Sequence, residues 1–481
     1  MKLTKEELDK LTIKTAHEAL VRGDFTAVDL AESYLAVIKE KNDKLNVYLE
    51  VFDDVREQAA EADRRLRKSE NVDILTGIPL AIKDNILIEG RKCSSASKML
   101  ENYTATYDAT VIKKLKERGV IFLGRTNMDE FAMGGSTENS AFGPTKNPHD
   151  ETRVSGGSSG GSAAAVGGGL ALAALGSDTG GSIRQPSSFC GTFGLKPTYG
   201  TVSRYGVMAM ASSLDQIGPI AKTVEDAEII FDAIRGADGY DSNAFDLPKY
   251  SATPTKLKIG VPYAFLNGGG VDSVVLDSFN DLVEKLKKNG HTVEEVSMPN
   301  LHYSLACYYV LMPAEVSTNM ARFDGVRYGL HLDGQNVIDD YKKTRAAGFG
   351  KEVRRRIMLG TYVLSAGYYD AYYNKANQVR ELIRSDYENV FNQYDVIITP
   401  TAPSPAFPIG KNTSDPLQMY LEDIFTVPVN LAGVPAMNVP IGFTNSSETA
   451  PKGLPLGVQV TAPHRREDIL FVFGRVVENL K

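Results

Sequence analysis

An α/β fold built on one large mixed β-sheet flanked by helices is what this sequence predicts, and three observations predict it. Short apolar runs of strand character alternate with helix-period segments along the chain. No Pro-rich, charge-rich or low-complexity stretch reads as a linker, and no internal repeat is visible. With 42% hydrophobic and 23% charged residues over 481 positions, the composition can fill a large core. The expectation is a single domain over residues 1–481, with a helical N-terminal part over 1–60.

The elements follow in order. Thr4 and Glu7 form a capping-box pattern that opens a first helix, with Leu8 and Leu11 on one face. Thr26 and Asp29 open another, striped by Val28, Ala31, Leu35 and Ile38. Ile78–Ile82 reads as a strand in which Pro79 confines the ladder to an edge or to the strand's start. Val120–Leu123, Leu257–Val261 and Val396–Thr399 read as strands too. Asp272–Gly290 is a helix whose face is Val275, Phe279, Leu282 and Leu286, closed by Gly290. Pro400–Pro408 is a rigid loop after a strand, and Glu467–Leu480 is a last helix carrying Phe473, Val476 and Leu480.

Charge and cysteine content narrow the function classes. A net charge of −7 argues against this chain gripping nucleic acid alone, so any RNA would be held mainly by a partner. Cys93, Cys190 and Cys307 are odd in number and lack CxxC spacing, which fits a reducing compartment. The N-terminal MKLTKEELDKL is charged and has no apolar h-region. The longest uncharged apolar stretch is glycine-rich and shorter than the roughly 18 residues a membrane span needs. The expected setting is cytoplasmic, without membrane contact.

The chemistry concentrates in two serine-bearing glycine clusters, Ser155–Ser162 (SGGSSGGS) and Asp178–Arg184 (DTGGSIR). Glycine lets backbone amides approach a reacting centre, and serine supplies a hydroxyl that serves as nucleophile or relay. A flexible linker is the plain alternative, but Ala163–Gly176 runs fourteen residues without charge and needs burial. The second cluster also flows into Phe189, Cys190 and Leu195, which is core-like sequence.

A base must activate such a serine. None of the six histidines lies inside either cluster. The pattern G-x-S-x-G occurs at Gly157–Gly161 around Ser159, but a nucleophile elbow needs a strand before it and His149–Arg153 (HDETR) is a poor one. Lys83, at the end of the apolar strand in GIPLAIKDN, is the other option, since burial among hydroxyls lowers an ammonium pKa. Asp84 would oppose this if close, yet neighbours in a strand point to opposite faces. Spacing alone does not separate this Lys83 from a solvated surface lysine. A Ser-x-x-Lys pattern at Ser95–Lys98 lacks its companion KTG element. Metal-ligand spacings are absent, and Gly156–Ser162 lacks the lysine of a phosphate loop.

Taken in order, Gly77–Ile86 (GIPLAIKDNI), Ser155–Ser162 and Gly176–Pro186 (GSDTGGSIRQP) resemble the amidase signature family. The resemblance implies the amidase signature fold, with a signature core at about residues 70–230, and a Ser-Ser-Lys triad. By position Ser182 is the nucleophile, Ser158 the bridging serine on a cis peptide, and Lys83 the general base; the family's serine spacing selects Ser158, since 182 − 158 = 24. The backbone amides of Thr179, Gly180, Gly181 and Ser182 resemble the family's oxyanion hole. One departure is Ser155, where many relatives carry proline.

The match continues through Gly124–Pro148, Arg322–Gly329, Gly348–Ala376 and Asp423–Ala436, which are similar to the family's glutamine-dependent branch. That similarity implies L-glutamine as substrate, with Arg356 on its α-carboxylate, Asp423 on its α-ammonium, and Tyr309, or Tyr308 in its place, lining the pocket. It implies two partners: a kinase and transamidase (the B subunit of such an amidotransferase) and a small linker (the C subunit). The kinase and transamidase would hold glutamyl-tRNA(Gln), use ATP and Mg²⁺, and spend the released ammonia to form glutaminyl-tRNA(Gln); this chain would need no cofactor or metal. The rivals are a stand-alone amidase of the same family acting on small amides, and a non-catalytic scaffold, which would have lost a triad member.

Overall fold

Lys83 and Asp178 end two adjacent parallel strands, the third and fourth of an eleven-stranded sheet, and that juxtaposition organises the molecule. The computed structural model describes residues 3–68, 72–248, 250, 253–268, 270–413 and 415–480; Met1 and Lys2, where the N-terminal reading begins, lie outside them. The strands are β1 (Tyr48–Val51), β2 (Pro79–Lys83), β3 (Ile121–Thr126), β4 (Lys146–Asn147), β5 (Asp150–Val154), β6 (Ala173–Asp178), β7 (Phe193–Lys196), β8 (Gln216–Ala221), β9 (Lys258–Val261), β10 (Thr292–Glu295), β11 (Val396–Pro400), β12 (Ala436–Phe443) and β13 (Pro455–Thr461). The large sheet runs β1-β3-β2-β6-β8-β7-β12-β13-β11-β9-β10, and β4 with β5 forms a separate ribbon. It is mixed: β2 is parallel to β3 and β6, β9 to β10 and β11, and the remaining pairs are antiparallel.

The sequence logic of the elements is largely visible. Pro79 opens an interior strand, the position where a missing N–H does least harm to a ladder. Capping boxes at Thr4 and Thr26 start the helices Lys5–Lys10 and Ala27–Leu45. The second helix buries a face rotated from the expected stripe: Val28 and Leu35 are half-buried, whereas Leu30, Tyr34 and Val37 join Ala31 and Ile38 in the core. The helix Ser273–Lys288 buries Val275, Phe279, Leu282 and Leu286 as its period requires. The C-terminal helix Glu467–Glu478 buries Phe473 and Val477, leaving Val476 half-buried. One cluster of buried apolar side chains runs from Leu8 to Val477.

One expectation fails here. All of HDETR but His149 belongs to a strand, β5, which pairs with β4 and seats Val154 against Phe189 and Phe407. Its polarity misled because β5 belongs to a surface ribbon: Glu151 and Thr152 face outward, and the buried Asp150 carboxylate accepts from the Thr152 N–H at 2.9 Å.

Glycine loops and apolar strands meet in the stretch between the two clusters. Gly160–Gly167 forms a buried helix, after which β6 enters the sheet. Two further helices wall the same end of the sheet: Ser304–Asn319, with Tyr308 and Tyr309, and Lys351–Val363, with Arg356. They cross where Gly360 has no side chain, for a Cβ there would lie 1.7 Å from the Pro313 carbonyl oxygen. Backbone cannot yield as a flexible side chain does, so Gly360→Ala should destabilise the fold by about 2–3 kcal/mol in denaturant melts. A melt indistinguishable from the parent would show that the two helices do not cross this closely.

Candidate active site

Lys83 is the only fully buried ammonium among the described residues that reaches serine hydroxyls. Its Nζ lies 2.7 Å from Ser158 Oγ, 2.8 Å from Ser159 Oγ and 3.2 Å from the Ser177 carbonyl oxygen. Ser159 Oγ donates to that same carbonyl at 3.1 Å and accepts the Ser177 N–H at 3.3 Å, so it meets the lysine as an acceptor. A neutral amine has two N–H donors and one lone pair. With the donors on Ser159 and Ser177, the lone pair is left for the Ser158 hydroxyl proton. Hydrogen bonding therefore distinguishes the two adjacent serines, with Ser159 committed to the Ser177 carbonyl and Ser158 not. The peptide Gly157–Ser158 is cis.

Electrostatics favour that amine form. Burial lowers the Lys83 pKa from the usual lysine range to about 7, against the pull of the Asp129, Asp178 and Asp215 carboxylates. Asp84, on the opposite face of the chain, turns away to the Ser94 and Ala96 amides and to Arg125.

Ser182 sits in the turn between β6 and the helix Arg184–Cys190, and is 7% exposed. Its carbonyl accepts the Ser159 N–H at 3.1 Å, which joins the two glycine clusters. Among the described residues no hydrogen bond links the Ser182 and Ser158 hydroxyls. The amides of Thr179, Gly180 and Ser182 make no protein hydrogen bond among the described residues and are free to face an oxyanion. Gly181 differs from the expectation: its N–H donates to Asp178 Oδ1 at 2.9 Å and is already committed. The cause is a buried ion pair. Asp178 receives Arg184 through Nε at 3.0 Å and Nη2 at 2.9 Å, and also accepts from Asn430 and the Ile183 amide. Burial pushes the Asp178 carboxyl up, but Arg184 outweighs it and holds the group well below the usual carboxylate range.

The expected substrate residues converge beside this turn. Arg356 is buried, and its Nε donates to Glu352 Oε1 at 2.8 Å, the same oxygen that accepts from the Tyr420 hydroxyl. No protein oxygen holds its terminal Nη atoms among the described residues, which leaves a planar fork for a carboxylate. The guanidinium lies 5.6 Å from the centres of both the Tyr309 and Tyr420 rings, which stack 4.0 Å apart. Burial raises the Asp423 carboxyl well above its ordinary range, against the attraction of Arg356, so an incoming ammonium would restore its charge. A cavity of about 100 Å³ opens against Arg356, Tyr420, Gly134 and Ser136. Tyr308 and Tyr309 have separate places: Tyr309 flanks Arg356, while the Tyr308 hydroxyl packs on Gly180.

Sequence reasoning missed Glu352 and Tyr420. Glu352 carried a signal, being four residues before Arg356 on one helix; Tyr420 carried none. The histidines stay apart from the triad, His149 for instance bonding to the Cys190 carbonyl. Among the described residues no group of His, Cys, Asp and Glu is arranged to hold a metal, and no helix is long and apolar enough to cross a membrane.

Comparison with known proteins places these features in a family. The sequence profile described as Amidase matches residues 29–471. A protein of Geobacillus thermodenitrificans, named as the A subunit of glutamyl-tRNA(Gln) amidotransferase, is 52% identical over 475 residues, covering 97% of this chain and 96% of its own. The crystal structure of the A subunit of glutamyl-tRNA(Gln) amidotransferase from Thermotoga maritima superposes with a TM-score of 0.80 at 43% identity, over 98% of this chain and 95% of that one. A bacterial aryl acylamidase of the amidase signature enzymes reaches a TM-score of 0.84 at 22% identity, over 98% and 96%, which shows the shared fold.

Three outcomes test the geometry. Labelling of Ser182 by a neutral phosphonylating reagent should rise with pH through a midpoint near 7, because Lys83 accepts a proton only as the amine. Lys83→Met should slow labelling by about 10³-fold or more, and a pH-independent rate would remove the lysine from this role. Arg184→Met leaves Asp178 buried without its cation and should cost about 3–5 kcal/mol in stability.

Proposed function

This chain belongs to the Amidase family, and on that footing we propose that it is the glutaminase component of a tRNA-dependent amidotransferase. The observation that carries the chemistry is Lys83, buried with a lowered pKa and aimed through Ser158 at a turn of free backbone amides. Neutral Lys83 takes the Ser158 proton as Ser158 takes that of Ser182. The Ser182 oxygen then attacks the side-chain carbonyl carbon of L-glutamine. The amides of Thr179, Gly180 and Ser182 receive the negative oxygen. Collapse breaks the C–N bond, and the proton returns through Ser158 to the departing nitrogen as ammonia. Water hydrolyses the remaining glutamyl ester by the same relay, giving glutamate.

The rest of the pocket selects an amino acid. Arg356 binds the α-carboxylate bidentately, Asp423 the α-ammonium, and Tyr309 the aliphatic stem. The relatives' names denote one component of a larger enzyme, which supports assembly with others. In the finer reading those are a kinase and transamidase, which uses ATP and Mg²⁺ and binds glutamyl-tRNA(Gln), and a small linker. Ammonia passes to the kinase and transamidase, which forms glutaminyl-tRNA(Gln). This chain itself uses no cofactor, and the assembly is cytoplasmic.

The test is ammonia release from L-glutamine by the chain co-expressed with its partners, with and without glutamyl-tRNA(Gln) and ATP. Release should be stimulated by the tRNA and abolished in Ser182→Ala; turnover of other small amides by the isolated chain, without glutaminase activity, would make it a solitary amidase. Arg356→Lys should raise KM for glutamine by about 10- to 100-fold, since an ammonium cannot replace the fork.

A further inference from the structure

Asp129 is buried, carries a carboxylate in the middle of the site, and has no part in the relay just described. Its main-chain N–H donates to the Ser158 carbonyl at 3.2 Å. Its carboxylate accepts the N–H groups of Thr137 at 2.9 Å and Asn139 at 3.1 Å. Those amides belong to the loop that bounds the small cavity beside Arg356. The same carboxylate packs against Gly157: a Cβ on that glycine would lie 2.1 Å from Asp129 Oδ2. Gln185 runs parallel, accepting the Gly157 N–H at 3.0 Å and donating to the Gly135 carbonyl at 2.9 Å.

We propose that Asp129 is a positioning residue that locks the cavity loop to the Ser158 loop and sets the charge facing Lys83. This deepens the glutaminase reading and rests on it. The groups facing Lys83 are the carboxylates of Asp129, Asp178 and Asp215; Asp129 in turn faces Lys83 and Glu138. Asp178 is neutralised by Arg184, whereas no cationic side chain bonds to Asp129 among the described residues. Asp215, which accepts only from the Thr179 hydroxyl and the Met210 and Ala211 amides, likewise has no cationic partner among the described residues. Of these two uncompensated carboxylates only Asp129 also ties the cavity loop to the Ser158 loop, and burial lifts it to about 6. Above that pH its negative charge steadies the Lys83 ammonium.

Asp129→Asn keeps the shape, removes the charge, and offers one acceptor where two amides need it. In the complex, KM for glutamine should rise and kcat fall, each by about tenfold or more. The acid limb of the kcat profile should move to lower pH by on the order of one unit, because an ammonium without its counter-charge deprotonates more readily. Asp129→Glu keeps the charge but adds a methylene against Gly157, so kcat should fall with the limb unmoved. A purely structural role would slow both variants and shift neither limb, and that result would overturn the proposal. Should either variant unfold, carboxyl NMR of Asp129 in the parent and in Lys83→Met reads the same coupling: its titration should move up once the cation is gone, and an unchanged titration would refute it. Ser182→Ala separates the two levels. If it still releases ammonia, the glutaminase reading falls and takes this one with it; if it is inactive while Asp129→Asn behaves as the parent, only Asp129 loses its role.

Discussion

The Asp178–Arg184 ion pair is the interaction on which the site depends. Both side chains are fully buried, so their desolvation must be met by geometry. It is met on every side: Arg184 forks onto Asp178 and reaches the Thr426 carbonyl at 3.1 Å, and Asn430 donates to Asp178 at 2.9 Å. Asp178 ends β6 and accepts the Gly181 and Ile183 amides, so one carboxylate shapes the whole turn that carries Ser182. The amides left over are those that can face an oxyanion. Ion-pair chemistry thus decides backbone chemistry.

Around that pair, burial does the remaining work. Lys83 lies at the C-terminal end of β2 next to β6, where open α/β sheets gather ligands. There it is stripped of water and offered two hydroxyls and a carbonyl, so its charge becomes conditional. Asp423 is treated in the same way beside Arg356, its carboxyl raised by burial. On the proposed function, those are the charges an amino-acid substrate would complement.

The fold was legible where local pattern and tertiary burial agree. The helix Ser273–Lys288 and strands β2 and β11 follow from period and punctuation alone. The strand β5 was not legible, because a surface ribbon tolerates polar side chains that a core strand does not. The glycine clusters announced serine chemistry, but Lys83 by itself resembled any lysine after a strand. What distinguishes it is the parallel pairing of β2 with β6, a contact across nearly a hundred positions that no spacing encodes. Arg356, Asp423 and the Tyr308/Tyr309 pair came only through resemblance, and Glu352 and Tyr420 required the folded chain. The Gly181 amide needed it as well, for nothing in DTGGSIR says which amide the aspartate takes.

The sheet order has a consequence for biosynthesis. Strand β7, the next strand after the Ser182 turn, pairs with β12, and Asn430, which steadies Asp178, lies just before β12. A ribosome that has delivered Lys83, Ser158 and Ser182 has delivered every reactive group, yet the Asp178–Arg184 pair still lacks the Thr426 carbonyl and Asn430. Such long-range closure comes late in folding. A chain that ends before β12 consequently carries the reactive side chains without the contacts that hold them in register.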